Sequence, residues 1–466
     1  MKKREKVKRA LLIGAGTAAG LTAAKLLTRG MINKTHDHIL KILMEDTYDE
    51  NMWELVSAAT RLGLQNIIET NLRATEGKAI ARPMGSPKKF PSLDDLVFTF
   101  AQLYRLPTPL EEKIDTSVVI GKQAKKPFTI DFPIMIAPMA YGEALSKKAK
   151  IALARGAARA GTATNTGEGP FLPEERQAAK YLIYQFNRGD WNKTPEIIRQ
   201  CDAVEIQIGQ GALGGVGHVM QAEMIDKELR QAFGFPKGKD AVAHSRQPGV
   251  ECIEDFKKLV SKLKEIGGGI PVGVKMAAGK HLEADFRILC EAGIDFIAME
   301  GAEAATKASA PILQDDFGVP MVFAVSRAAK WLKENGYSDK VTLIASGKMR
   351  TPGDVLKACA LGADAVYMGA TALFAIAHMQ VLKPLPFEPP TQVVWHHGQY
   401  AKQFSVRKGT KYLYQFLQAC KDEIKMGIKA LGKTSLAEVG REDLMALNEL
   451  ISKGCGISLV SEPFPQ

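Results

Sequence analysis

The sequence predicts an α/β protein: a (β/α)8 TIM barrel preceded by a helical segment and followed by a helical extension. Three observations carry this expectation. From about residue 130, short apolar runs alternate with amphipathic stretches of helical period. The runs have the length and composition of strands buried on both faces, as parallel strands are. The segment Val341–Leu373 reads strand, glycine turn and helix twice in succession.

The runs are Pro133–Ala137, Gly161–Thr164, Leu182–Phe186, Ala203–Ile208, Pro271–Met276, Phe296–Met299, Val341–Ala345 and Ala365–Met368. Helical stretches such as Lys147–Ala160, Ile253–Ile266 and Leu282–Ala292 separate most of them. Eight β/α steps argue for a closed barrel over an open sheet. Such a barrel uses roughly 250 residues, so a chain of 466 residues has room for additions. The expected division is 1–30 as a basic and apolar helix, 31–125 as a helical region, 126–380 as the barrel and 381–466 as the extension. No internal repeat is found.

Within the repeated unit, Ser346-Gly347 breaks the first strand. Thr351 suits a helix cap, Pro352 the first helical position and Asp354 the acid of a capping box. Gly369 turns the second strand into its helix. Adjacent strand ends that open into helices gather free backbone N–H groups, which suit a phosphate. In a barrel this is the site after the seventh and eighth strands. The alternative is that these glycines only make tight turns.

Composition is that of an ordinary soluble chain, 46% hydrophobic and 24% charged, with formal charge +11. Part of the excess sits in KKREKVKR at positions 2–9. No aromatic-interleaved basic stripe follows, so nucleic acid is not an expected partner. The six cysteines, Cys201, Cys252, Cys290, Cys359, Cys420 and Cys455, form no C-x-x-C pair. No zinc or iron–sulfur spacing is present, so no metal is expected. The large chain lacks a disulfide framework, which points to a reducing, cytoplasmic compartment.

Ala10–Ala24 follows the basic run and has three readings. It is short and interrupted for a membrane span. It lacks a convincing cleavage site for a signal peptide. As a dinucleotide fingerprint, Gly14-x-Gly16-x-x-Ala19 needs a second strand ending in an acid, and the following residues look helical instead. The preferred reading is a helix that packs on the protein or rests on a membrane surface through residues 2–27.

The predicted strand ends carry a polar set. They are Met139–Gly142, Asn165–Gly169 with Glu168, Gln207 and Gln210–Gly211, Lys275, then Glu300 and Glu303. A lysine on the otherwise apolar strand PVGVKM must be paired or meet an anion. One reading pairs it with Glu300. The other sets it beside a flavin, whose reduced ring gains negative charge.

GTATNTGEG, IGQGA, PVGVK, LIASGKMRT and ALGADAVYMG together resemble the FMN-binding synthase domain of glutamate synthases, over roughly Phe132 to His378. The resemblance implies a barrel holding FMN, and amination of 2-oxoglutarate with ammonia to give glutamate. It implies that Lys275 lies near the flavin ring, with Ala140, Asn165 and Gln207 also at the cofactor. Ser346, Gly347, Lys348, Gly369 and Ala370 would hold its phosphate, with Thr371 nearby. Glu168, Arg230 and Glu303 would face the oxo acid, and Lys275, Glu168 and Gln210 would carry the chemistry.

The chain departs from the family at several positions. Gln207 and Leu213 stand where the family has lysines, Glu303–Lys307 replaces a glycine-rich loop, and Lys348 and Pro352 replace glycines. The cysteines of the family's 3Fe–4S centre have no counterpart after the last strand, and no glutaminase domain is expected. Ammonia would then be free or delivered by a separate subunit, and electrons would come from NAD(P)H or another flavoprotein. Each lost lysine removes a charge-assisted contact worth about 1.5–3 kcal/mol. The alternatives are a different amino or hydroxy acid substrate, or a non-catalytic barrel scaffold.

Overall fold

In the computed structural model, residues 2–47, 53–307, 309–380 and 389–463 are described. The chain divides into two compact units, Met1–Ile80 and Ala81–Gln466. The first contains the helices Lys2–Glu45, Trp53–Leu62 and Leu64–Glu76. Gly14 and Gly16 lie inside the first of these helices. The turn between strand and helix that the fingerprint needs is helix here, so the dinucleotide-fingerprint reading fails. No helix among the described residues is long and apolar enough to cross a membrane. The membrane-surface contact expected of residues 2–27 falls largely on side chains outside the described set.

The second unit is the barrel. Its strands are β1 (Ile134–Ile136), β2 (Ala163–Asn165), β3 (Tyr181–Phe186), β4 (Ala203–Gln207), β5 (Val272–Ala277), β6 (Phe296–Glu300), β7 (Thr342–Ser346) and β8 (Ala365–Met368). Each pairs in parallel with its sequence neighbour from β2 to β8, and β8 pairs with β1. At the remaining seam, the Thr162 hydroxyl donates to the Ile134 carbonyl at 2.5 Å. The ring is thus nearly closed, and every strand falls within two residues of its expected place.

The helices follow from local chemistry. α1 (Lys147–Ala160) is capped by Ser146, whose side chain accepts from Ala149 N–H. α7 (Pro352–Ala360) has the full capping box of Thr351 and Asp354, with Pro352 at its start. The long helix Val406–Ala430 buries Leu413, Leu417, Cys420, Ile424 and Ile428, a stripe at helical spacing. It packs on α1, where a Cβ on Gly156 would come within 2.7 Å of the Leu413 side chain. The C-terminal segment also returns a strand, Leu444–Ala446, antiparallel to Leu96–Phe98.

Three features were not expected from the sequence. Two are that small sheet and a second antiparallel pair, Val118–Ile120 with Phe128–Ile130, which begins in the region expected to be helical. The third follows β4, where His218–Met220 pairs with Ala241–Ala243 around the helix Lys227–Phe233. These strands have three residues each, too few to leave a period-2 signal. The insertion packs its own small core of Tyr141, Leu172, Trp191, Leu229 and Phe233 beside the barrel mouth.

Candidate active site

The C-terminal ends of the barrel strands open into one cavity of about 440 Å³, within the range of small-molecule and cofactor sites. Its floor is polar. Glu205 on β4 accepts from Asn165 (3.0 Å), Gln185 (2.8 Å) and the Tyr367 hydroxyl (2.7 Å). Burial pushes the Glu205 carboxyl up, against the charge of Lys275. Burial likewise holds the Tyr367 hydroxyl far above its ordinary value. Asn165 and Gln207 are fully buried in this region and are not among the cavity-lining residues.

Lys275 rises from β5 into the cavity. Its ammonium lies 3.3 Å from Glu300 and 3.3 Å from Gln210 Oε1. Glu300 links three strand ends: it accepts from Gly211 N–H at 2.8 Å and from the Ser346 hydroxyl at 3.0 Å. The pairing weighed from the sequence is therefore present, and Lys275 is a cavity-lining residue as well. Pairing and ligand contact are compatible here, because an ammonium has three donors.

A second line of contacts extends away from Lys275. Gln207 Nε2 donates to Glu168 at 2.8 Å and approaches Gln210 Oε1 at 3.4 Å. Gln207 Oε1 is buried without a partner among the described residues. Glu168 Oε1 lies 3.7 Å from His218 Nε2, which is 3.0 Å from Glu143. Burial disfavours a charged His218 ring, yet the Glu143 hydrogen bond and the two carboxylates outweigh it and raise the ring to about 9. Burial would raise Glu143, but the hydrogen bond and charge of His218, with Lys307 behind, hold it low. Burial lowers Lys307 in spite of Glu143.

The loops after β1 and β2 are held from below. Lys150 on α1 is buried, with its ammonium 2.9 Å from Glu175. It donates to the carbonyls of Met139 (2.8 Å), Asn165 (2.8 Å) and Thr166 (3.1 Å). Gly167 passes so close that a Cβ would come within 2.5 Å of the Met139 backbone.

On the opposite side, Gly347, Lys348, Gly369, Ala370 and Thr371 line the cavity. The α7 opening is satisfied by its own side chains, since Asp354 accepts from Arg350 and Thr351 N–H. The opening of α8 (Ala370–Ala377) has no side-chain cap, and its first residues line the cavity. Thr371 ties the two loops by donating to the Met349 carbonyl at 3.0 Å. Lys348 has φ 54°. The left-handed conformation explains why a glycine suits this place. The side chain is exposed at the rim and does not plug the hollow.

Of the residues singled out from the sequence, Lys275, Glu168, Gln210, Ala140, Ser346, Gly347, Lys348, Gly369, Ala370, Thr371 and Glu303 line this one cavity. Asn165 and Gln207 support it from within the barrel. Arg230 sits on the insertion helix and is not a lining residue. Glu303 accepts from Met321 N–H at 2.9 Å, and burial pushes its carboxyl up. Glu143, His218 and Trp395 also line the cavity and were missed, and Lys307, noted only as a departure from the family's loop, lines it too. Glu143 could have been found, since it follows Gly142 at a strand end. His218 had no signal, because the insertion had none.

A family description, a conserved region in glutamate synthase, matches residues 78–434. The chain belongs to the glutamate synthase family. It is 33% identical over 400 residues to a glutamate synthase large subunit-like protein of Rhizobium meliloti (strain 1021), across 82% of this chain and 90% of that one. It is 34% identical over 338 residues to an archaeal glutamate synthase [NADPH] of Archaeoglobus fulgidus, across 70% of this chain and 66% of that one. The chain thus spans about two thirds of the archaeal enzyme's length. Among solved structures, a mutant flavocytochrome b2 with benzoylformate matches with TM-score 0.49 at 17% identity, across 80% of this chain and 84% of that one. In family terms the chain is a glutamate synthase-like oxidoreductase.

Proposed function

We propose that the barrel mouth binds FMN and that the chain aminates a 2-oxo acid with ammonia, with 2-oxoglutarate as the first candidate. The observation that carries this reading is the buried Lys275 ammonium, which shares one cavity with the glycine-bearing ends of β7 and β8. The residues fit the cofactor. The uncapped start of α8, with the Gly347–Met349 backbone and Lys348 at the rim, suits a phosphate. FMN, when bound, supplies the hydride.

The chain's own groups do the rest. Lys275, its Nζ directed by Glu300, would offset the negative charge that a bound flavin gains on reduction. Glu168 and Gln210 offer oxygens to a substrate nitrogen. The cavity walls hold the oxo acid against the hydride source, and proximity supplies much of the rate. The electron donor on this reading is NAD(P)H or a separate flavoprotein, and a separate subunit could deliver the ammonia. The names of the archaeal relatives favour NADPH.

A second reading keeps the cofactor and changes the acid. Leu213 lines the cavity together with Val219, Met220 and Met224. An apolar wall there favours an oxo acid with an apolar side chain over one with a second carboxylate. Mass analysis of the small molecule released by denaturing the purified protein tests the cofactor, and a colourless protein that takes up no FMN ends the reading. Reoxidation of the reduced protein by a series of 2-oxo acids with ammonia then ranks the substrates.

A further inference from the structure

His218 and Glu143 are not used by the functional reading above. Two carboxylates from different loops converge on His218 Nε2, Glu143 after β1 at 3.0 Å and Glu168 after β2 at 3.7 Å, while Nδ1 is buried without a partner among the described residues. All three side chains line the cavity. Glu168 Oε2 is committed to Gln207, whereas Oε1 has no hydrogen bond among the described residues. Lys275, Gln210, Gln207, Glu168, His218 and Glu143 therefore form a line of polar contacts across the mouth, no step longer than 3.7 Å. One end is the ammonium assigned to the cofactor, and the other is Glu143 with the histidine beside it.

The other charges facing the ring are Arg188, which lowers its proton affinity, and Lys307, which faces Glu143. Arg188 is spent on the carbonyls of Gly215 (2.7 Å) and Val216 (3.3 Å). The two carboxylates prevail, so the ring carries its proton at neutral pH. A charged imidazole beside a carboxylate with free lone pairs, inside a reaction cavity, is the arrangement of a general acid.

We propose that His218, held at Nε2 by Glu143 and Glu168, is the acid–base group of this site. The proposal rests on the amination reading. Ammonium gives one proton to Glu168 Oε1, and the resulting ammonia forms the C–N bond as the carbonyl π bond opens. A nitrogen proton passes to the new alkoxide, giving a carbinolamine. The C–O bond then breaks, and the oxygen leaves as water with a proton from His218 Nε2, leaving a protonated imine. A hydride, which bound FMN would supply, then forms the C–H bond as the C=N π pair moves onto nitrogen. The amine takes back the proton lodged on Glu168, and His218 is reprotonated from solvent. One oxo acid, one ammonium, one hydride and one proton give one amino acid and one water.

The test uses the full chain with its cofactor and two variants, His218→Asn and Glu143→Gln. For the wild type, kcat with oxo acid and ammonia should fall as pH rises past the ionisation of His218. His218→Asn should lower kcat by about 100-fold or more, abolish that alkaline limb and leave KM for the oxo acid within threefold. Reduction of the bound flavin by dithionite should be unchanged. Glu143→Gln should move the limb to lower pH. Independently of turnover, 15N-histidine spectra should show the resonance missing in His218→Asn titrating near 9 in the wild type, and lower in Glu143→Gln. Active wild type with a His218→Asn variant that keeps its rate or its limb overturns this proposal alone, as does an ordinary titration of the ring. A wild type that aminates no 2-oxo acid overturns the amination reading and takes this one with it.

Discussion

The two sides of the barrel mouth are built differently. The β7–β8 side is mostly backbone: the Gly347–Met349 turn, the uncapped start of α8 and one tie from Thr371 to Met349. The β1–β4 side is mostly side chains: Glu143, Glu168, Gln207, Gln210 and His218, each dependent on another for its place. A backbone site tolerates substitution, since the N–H groups persist whatever the side chain is, save at proline, which fits the first helical position because no intrahelical N–H bond is made there. A side-chain site is remade by single changes. The family departures fit this division. Lys348 and Pro352 replace glycines and leave the turn and helix start intact, while Leu213 and Gln207 change the chemistry of the opposite wall.

The strongest way to break this contrast is through the support beneath the side-chain half. Lys150→Met should leave Glu175 buried and unpaired and release three loop carbonyls. We expect a loss of about 3–5 kcal/mol in denaturant unfolding. Adding Glu175→Leu should recover most of it. If the two halves are independent, the double variant keeps its affinity for FMN.

Next in size is the pH dependence of stability. The folded value of His218 lies above its ordinary one, near 9 against 6.5. The stabilisation is therefore complete below pH 6.5 and lost as pH rises through about 9. The shift corresponds to about 3 kcal/mol. Unfolding free energies measured from pH 6 to 10 should fall across this window, and His218→Asn should flatten the curve.

Leu213→Lys sharpens the comparison from the substrate side. Restoring a cation to the wall should favour 2-oxoglutarate over an apolar 2-oxo acid by roughly 10- to 100-fold in kcat/KM. FMN binding should not change. The smallest effect is on the backbone side. Lys348→Gly relieves a left-handed residue at φ 54° and should stabilise the protein by about 1 kcal/mol, read from the urea midpoint, with a slight change in cofactor affinity.

The same division explains what was legible beforehand. All eight barrel strands could be placed from apolar runs, because a strand buried on both faces leaves a local signature. The capping box of Thr351 and Asp354 was legible because it is written within four residues. Arg230 could be singled out only by resemblance, and the insertion that carries it turns this residue away from the set lining the cavity. His218 was invisible, because its importance lies in meeting Glu143 and Glu168 across loops 75 and 50 residues away in the chain.

The sequence by itself determined the barrel, the order of its strands and the backbone turns after β7 and β8, since these depend on periodicity, caps and glycines over short spans. Only the tertiary structure decided that Lys275 is paired and still faces the cavity, that Lys348 stands at the rim, and that two carboxylates converge on one histidine. Those outcomes depend on distances between residues far apart in the chain, which exist only once the ring of strands has brought their ends together.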